Sequence, residues 1–174
     1  MRFGSFRAML DATKGVIVNT ILLATDGSAS ARVATTEAIE LAKATGWPLH
    51  VLTVWDLPWV PGYGYAPAAY VPVHELCEAE EEHAAEAVDK AVESAAKAGV
   101  TVTSSIRKGY AADEICEAAE ELGAGLVIMG ARGWGAFKRL VFGSVSTGVL
   151  HHAKCPVLVV RVEDSEATDE PVAA

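Results

Sequence analysis

The fold is decided by the stretch LVIMGARGWGAFKRLVFGS, which runs from Leu126 to Ser144. Its first four residues are apolar without a break, which is typical of a parallel strand buried on both faces. Glycines then recur as far as Gly143, and Ser144 begins a segment with helical character. A buried strand that passes through a glycine-rich loop into a helix predicts an α/β fold with a ligand site at the end of that strand.

Short apolar runs and helical patterns alternate on both sides of this stretch. The runs that predict strands are 20–25, 49–55, 100–106, 126–129 and 156–162. The segments that predict helices are 29–45, 74–98, 112–122 and 144–153. In the first of them Val33, Ile39 and Leu41 supply part of an apolar stripe, and Ser28 precedes it as a helix cap. The alternation predicts a five-stranded, doubly wound parallel sheet with helices on both faces, a Rossmann-like α/β fold.

The composition is that of one globular domain. The chain has 174 residues, of which 51% are hydrophobic and 21% charged, which excludes a disordered or collagen-like chain. No apolar stretch reaches the ~18 residues of a membrane span, and residues 1–14 lack the pattern of a secretory signal. The three cysteines lie far apart without a CxxC pair, so we expect a reducing, cytoplasmic location.

The charge distribution limits the partners and sets the domain boundaries. The formal net charge is −9, so the chain is unsuited to wrapping a nucleic acid backbone, and any polyanion that it binds is small and held locally. We predict a flexible extension over 1–18, one folded domain over 19–162 and an acidic, disordered tail over 163–174. Residues 56–73, rich in proline and tyrosine, predict a long loop that either covers a ligand or packs on the sheet edge.

The glycine-rich loop has the features of a phosphate site. Gly130 and Gly133 permit a positive φ and keep side chains away from an approaching ligand. Gly143 and Ser144 begin a helix, whose free N–H groups and dipole favour an anion. A mobile loop in which the glycines serve flexibility is the alternative.

The side chains of this loop add donors and positive charge. The hydroxyls of Ser144 and Ser146 are further donors, and the stretch is the most basic of the chain through Arg132, Lys138 and Arg139. The sequence has neither the GxxxxGK[ST] pattern of a P-loop nor a GxGxxG after its first strand. A phosphate site here is therefore of a different kind.

Asp26 ends the first strand of the predicted sheet. A short carboxylate at a strand tip suits ribose hydroxyls or a cation, and a turn-forming Asp that caps the next helix is the alternative.

Other chemically active residues are better explained without a site. The segment from His74 to His83 repeats a three-residue spacing of metal-ligand types, but no further ligands converge, which favours a solvated helix face. The pair His151 and His152 ends a helix, where an imidazolium suits the dipole. Cys116 fits the apolar stripe of its helix and is expected in the core.

The glycine spacing resembles that of a known family. Gly130-x2-Gly133-x9-Gly143-Ser144 matches the G-x2-G-x9-G-[ST] signature of the ATP-binding branch of the universal stress protein family. The similarity covers residues 19–162 and includes Thr25-Asp26-Gly27-Ser28 after the first strand and a closing Cys155-Pro156-Val-Leu-Val-Val160 strand. This resemblance implies the doubly wound fold, ATP binding and a homodimer formed through the last strand, 156–162.

The resemblance also implies roles for individual positions. Asp26 would meet the ribose or phosphates beside Ala24, Val54 would offer backbone groups to adenine, and Met129 would flank the nucleoside. The triphosphate would be surrounded by Gly130, Arg132, Gly133, Gly143, Ser144, Val145 and Ser146. This sequence departs from the pattern at Ala24, where several members have proline, and at Trp134 and Phe137, which are bulky in a loop that is often polar.

The resulting interpretation is a cytoplasmic, ATP-binding, nucleotide-responsive regulatory module in the stress response, with an adenine nucleotide and Mg²⁺ as ligands and no nucleic acid partner. The alternative from the enzyme class is a slow ATPase or an autophosphorylating protein with Ser144 as acceptor. The regulatory role is favoured because nothing in the sequence places a general base beside the phosphates. The sequence does not specify metal ligands.

Overall fold

The computed structural model describes residues 20–56, 73–133 and 142–162. These residues form five strands: β1 (Ile21–Ala24), β2 (Leu49–Trp55), β3 (Val102–Lys108), β4 (Leu126–Gly130) and β5 (Val157–Val160). They also form four helices: α1 (Ala29–Thr45), α2 (Val73–Lys97), α3 (Ala111–Glu121) and α4 (Ser144–His152). The predicted extension 1–18, the tail 163–174 and nearly all of the loop 56–73 lie outside the described residues.

The strands form one parallel sheet in the order β3-β2-β1-β4-β5. The register places Ala24 of β1 beside Leu52 of β2 on one side and beside Met129 of β4 on the other. From β1 the chain proceeds outward to β2 and β3, and then returns to add β4 on the opposite side of β1. The predicted doubly wound parallel sheet is confirmed, and its strand order reverses between β1 and β4.

Two apolar cores cover the two faces of the sheet. On one face α1 and α2 pack over alternate strand residues such as Leu23 and Val51. On the other face α3 and α4 pack over their neighbours, including Leu22 and Leu52, and Cys116 lies in this second core as predicted. Every residue of β1 is buried, which explains why the central strands read as unbroken apolar runs.

The capping of α1 follows the sequence closely. The Ser28 side chain accepts a hydrogen bond from the backbone N–H of Ala31, and Gly46 ends the helix in the left-handed region with φ 74°. The apolar stripe is confirmed in part: Ile39 is buried and Leu41 packs against the same core, whereas Val33 is half-buried and does not belong to that core. Small residues form the rest of the buried face: Ala31, Ala34, Ala38 and Ala42. Alanine on the buried face lets this helix lie close against the strands.

The third strand begins two residues later than predicted. Gly99, with φ 77°, ends α2, and the N–H of Val100 donates to the carbonyl of Ala95 at 3.0 Å. This capping turn uses Val100, so the strand starts at Val102 and extends to Lys108. The last strand is shorter than the predicted 156–162 and covers Val157–Val160. Among the helices of the described ranges, none combines the length and apolar composition needed to cross a membrane.

Candidate functional site

A cavity of about 580 Å³ opens at the carboxyl ends of β1, β2 and β4, where the strand order reverses. All eleven residues that the sequence analysis named for a nucleotide line it: Ala24, Asp26, Val54, Met129, Gly130, Arg132, Gly133, Gly143, Ser144, Val145 and Ser146. These residues come from four separate parts of the chain. The fold brings them together because the carboxyl ends of parallel strands meet at one edge of the sheet.

Further described residues line the same cavity without having been predicted: Thr25, Ala31, Leu52, Ala111, Ile115, Ala131 and Phe142. Leu52 had a usable signal, since it lies two positions before Val54 and so shares its face of the strand. Ala111 and Ile115 belong to the first turns of α3, which pack beside this strand end. Their contribution depends on helix placement, which no local motif encodes.

The cavity is chemically divided. β2 and β4 lie on opposite sides of β1, so the lining residues from β2 and from α3 beside it form one end of the cavity. This end is apolar, with Leu52, Val54 and Ile115, and Met129 of β4 adds a further apolar side chain. The other end, on the β4 side, contains the glycine-rich segments, Arg132 and the first turn of α4. The N-cap Gly143 and the first turn of α4 line the cavity, so the positive end of the helix dipole lies at this end, and no side chain caps that turn.

Gly130 and Gly133 leave room for neighbouring groups and are not needed for a special backbone conformation. Neither has a positive φ, which corrects the expectation for both. A Cβ at Gly130 would lie 2.5 Å from the Ser30 Oγ and 2.9 Å from the backbone N of Ala31. A Cβ at Gly133 would collide with the Asp26 Oδ2. The first glycine thus lets the start of α1 touch the end of β4, and the second leaves space for a carboxylate.

Asp26 serves the turn that follows β1 and also lines the cavity. Its Oδ1 accepts a hydrogen bond from the backbone N–H of Ser28 at 3.0 Å, which is the turn-forming role that the sequence left as an alternative. Its Oδ2 faces Gly133. The same side chain therefore fixes the entry to α1 and presents a carboxylate at the mouth of the site.

The two ends of the glycine-rich loop are tied to each other through Ala131. The carbonyl of Ala131 accepts from the backbone N–H of Gly143 at 2.8 Å and from the Ser146 hydroxyl at 3.0 Å. The same hydroxyl lies 3.0 Å from the carbonyl of Gly143. Its single proton is directed at main-chain carbonyls, which corrects the expectation that the Ser146 hydroxyl is a donor for a ligand. Ser144, in contrast, is exposed at the start of the helix.

The beginning of the loop is tied to α1. The carbonyl of Arg132 accepts hydrogen bonds from the hydroxyls of Ser28, at 3.3 Å, and of Ser30. Both serines are buried, and the sequence analysis assigned neither of them to the loop. Trp134, Phe137, Lys138 and Arg139 lie outside the described residues.

A polar group on β2 lies outside the cavity. His50 is buried, and its ring nitrogens Nδ1 and Nε2 each lie 2.8 Å from a hydroxyl oxygen, of Thr103 and Ser105 respectively. Burial lowers the pKa of His50, and the positive charge of Arg107 lowers it further. This histidine is neutral near pH 7 and bridges two strands.

The remaining candidate residues form no site. Within residues 20–56, 73–133 and 142–162, no three His, Cys, Asp or Glu side chains are grouped so as to hold a metal ion. His74 pairs with Glu78 on the exposed start of α2, and His151 and His152 are exposed at the end of α4. Burial raises the pKa of the Cys116 thiol, with a further contribution from the nearby Asp113 carboxylate, so this cysteine is a core residue of low reactivity.

A doubly wound α/β sheet with a divided cavity at its switch point defines a class of proteins that bind small ligands at the carboxyl ends of their strands. Comparison with known sequences gives the family. Residues 18–161 match the model of the universal stress protein family, and the chain belongs to that family.

Individual relatives agree with this assignment. The chain is 35% identical over 146 residues to the universal stress protein YxiE of Bacillus subtilis, an alignment that covers 82% of this chain and 99% of the relative. Among solved structures it is similar to the universal stress protein UspA from Lactobacillus plantarum, with a TM-score of 0.70, 29% identity and coverage of 83% and 98% of the two chains. It is also similar to a universal stress protein solved in complex with cAMP, with a TM-score of 0.61, 26% identity and coverage of 83% and 98%.

Proposed function

We propose that this universal stress protein binds ATP with Mg²⁺ at the switch-point cavity and acts as a nucleotide-responsive regulatory module. The observation that carries the proposal is the convergence of all eleven predicted positions on one cavity with an apolar end and an anion-attracting end. The similar structure solved with cAMP supports an adenine nucleotide as the ligand class.

The division of the cavity suggests an orientation for the nucleotide. The adenine ring occupies the apolar end, where burial of its faces against Val54 and Met129 replaces contact with water. The phosphates lie towards Arg132 and the first turn of α4, where a guanidinium and helix N–H groups stabilise negative charge. The Asp26 carboxylate then lies near the ribose and can accept hydrogen bonds from the ribose hydroxyls.

Mg²⁺ fits this arrangement as an ion bound by the phosphates of the nucleotide. Magnesium keeps several waters and usually takes one or two protein carboxylates in addition to phosphate oxygens. Among the described residues that line the cavity, Asp26 is the only carboxylate. Asp26 is therefore the residue that would hold the ion, directly or through water, and the ion would neutralise phosphate charge.

A regulatory role is favoured over catalysis. Among the described lining residues there is no histidine, and the one carboxylate, Asp26, has its Oδ1 in the turn before α1 and is assigned in this proposal to the metal ion and the ribose. These lining residues therefore include no general base that could activate a water molecule or the Ser144 hydroxyl. The second candidate, slow ATP hydrolysis or autophosphorylation at Ser144, is supported by the exposure of that residue at the helix start beside the cavity.

The proposal includes a homodimer in the cytoplasm. β5 is an edge strand, and the exposed Leu158 projects from it. An edge of apolar character that is not covered tends to pair, and in a two-fold dimer the same strand meets its copy. All three cysteines are free thiols, which suits a reducing compartment.

Calorimetric titration and thermal unfolding of nucleotide-free protein test the proposal. Saturation with MgATP at a hundredfold excess over Kd adds about 2.7 kcal/mol of stability, and at roughly 2–4 °C per kcal/mol Tm rises by about 5–10 °C. Arg132→Ala is expected to lose tenfold or more in affinity, because it removes the cation at the phosphate end. Lys43→Ala, which removes an exposed cation near the C-terminal end of α1 that does not line the cavity, is the control.

Two results would contradict the proposal. The absence of any shift with ATP, ADP or cAMP would refute nucleotide binding. A metal-dependent turnover above about 1 s⁻¹, close to the ~10 s⁻¹ typical of enzymes, would favour the ATPase over the regulatory module.

A further inference from the structure

The hydroxyl of Ser30 forms an unusual contact for its place in the chain. Ser30 lies in the first turn of α1, where a serine hydroxyl commonly bonds to backbone groups of its own turn. Here it donates to the carbonyl of Arg132, which is 102 positions later in the sequence. Ser28 reaches the same carbonyl at 3.3 Å, but its oxygen also caps α1 by accepting from the Ala31 N–H.

The surroundings of Ser30 make this contact well defined. Ser30 is 9% exposed, so its hydroxyl has little access to competing water. Gly130 allows the approach, because a Cβ at that position would lie 2.5 Å from the Ser30 Oγ and 2.9 Å from the Ser30 carbonyl carbon. The first glycine of the loop and this serine thus form one packed contact between β4 and α1.

The contact fixes a peptide plane at the edge of the cavity. In a trans peptide the C=O of one residue and the N–H of the next point in opposite directions. When the Arg132 carbonyl is held against α1, the Gly133 N–H points away from α1, and the backbone of Gly133 is kept beside Asp26. Both Arg132 and Gly133 line the cavity at its anion-attracting end.

We propose that Ser30 is a positioning residue of the nucleotide site: its hydroxyl orients the Arg132–Gly133 peptide and thereby sets the affinity for the phosphates. This inference rests on the proposed function for the identity of the ligand. It adds that the affinity depends on a side chain of α1 that does not line the cavity.

Two measurements on Ser30→Ala test it, one of them without nucleotide. The ¹³C shift of the Arg132 carbonyl and the ¹⁵N shift of the Gly133 amide report hydrogen bonding to that carbonyl, and both are expected to move. The affinity for MgATP is expected to fall by about five- to tenfold, since a tenfold loss corresponds to about 1.4 kcal/mol. Ser30→Thr retains a hydroxyl and is expected to restore both values.

Two control variants separate positioning from stability. Ala38→Gly weakens α1 at a buried position away from Arg132 and is expected to lower the unfolding midpoint while the Ser30 contact and the affinity persist. Ser94→Ala removes a helical hydroxyl that donates to the Lys90 carbonyl at 2.8 Å far from the cavity, and it is expected to change neither shift nor affinity.

The outcomes are distinct. Unchanged Arg132 and Gly133 shifts in Ser30→Ala, or moved shifts with unchanged affinity, would overturn the inference. An equal loss of affinity in Ala38→Gly and Ser30→Ala would assign the effect to stability of α1 and would also overturn it. Failure of the wild-type protein to bind adenine nucleotides would refute the proposed function, and the shifts alone would then decide whether Ser30 holds the peptide.

Discussion

Replacement of Gly130 by alanine is expected to destabilise the protein much more than replacement of Gly143, although both glycines belong to one signature. The added Cβ at Gly130 would lie 2.9 Å from two backbone atoms, the N of Ala31 and the carbonyl carbon of Ser30. Backbone atoms in the first turn of a helix cannot move without shifting α1. At Gly143 the nearest atom would be 3.6 Å away, which is ordinary contact, and φ is −77°.

The magnitude follows from the comparison of the two variants. Overpacking of a well-packed site typically costs about 1–3 kcal/mol. Both substitutions also restrict the unfolded chain, which contributes roughly 0.4–1 kcal/mol of stability to each. This contribution cancels in the difference, but alanine is disfavoured relative to glycine at the N-cap position of Gly143 by roughly 0.5–1 kcal/mol. Gly130→Ala should therefore be less stable than Gly143→Ala by about 0.5–2 kcal/mol.

Urea unfolding followed by circular dichroism measures this difference. With a slope of about 2 kcal/mol/M, the midpoints should differ by about 0.25–1 M. Gly133→Ala should lie close to Gly143→Ala, because its Cβ meets only the Asp26 carboxylate, which can rotate, but it should weaken nucleotide binding. Equal midpoints for Gly130→Ala and Gly143→Ala would refute the reasoning, since the glycine would then have no packing role.

Two further predictions concern pH and assembly. Because the pKa of His50 is lowered in the folded state, the unfolded chain binds more protons than the folded protein as the pH falls through 6.5. The free energy of unfolding should therefore decrease from there towards lower pH. If its dependence on pH, measured by urea unfolding between pH 7.5 and 5.5, is unchanged in His50→Gln, this assignment is contradicted. Leu158→Lys, on β5, should convert the proposed dimer to monomers, as measured by light scattering. Leu122→Lys, at a residue that is equally exposed at the end of α3, should leave the dimer intact. A dimer that persists in Leu158→Lys would place the interface elsewhere.

Much of the fold is readable from the sequence. The periodicity of apolar residues predicted the five strands and four helices in their order, because buried strands and half-buried helices leave different repeats in the chain. The first and last residues of an element were less well predicted where a helix cap determines them. An example is Val100, whose backbone N–H belongs to the capping turn after Gly99 and is not part of β3. In the apolar stripe of α1 the prediction was right for Ile39 and Leu41 and wrong for Val33, and it did not include the alanines that fill most of the buried face, because alanine is a weak hydrophobic signal.

The sequence pattern predicted which residues line the cavity, but it did not predict the contacts that explain why those residue types are there. The sequence by itself determined the glycine spacing, the carboxylate after β1 and the serines at the start of α4, since these are local patterns. Only the tertiary structure decided that Gly130 makes room for α1, that the Ser146 hydroxyl is directed at the Ala131 carbonyl, and that Ser30 holds the Arg132 carbonyl. The contacts of Ser30 and Gly130 join residues about a hundred positions apart, and that of Ser146 spans 15 positions across the glycine-rich loop. Their distances depend on how the helices pack on the sheet, which a one-dimensional pattern does not encode.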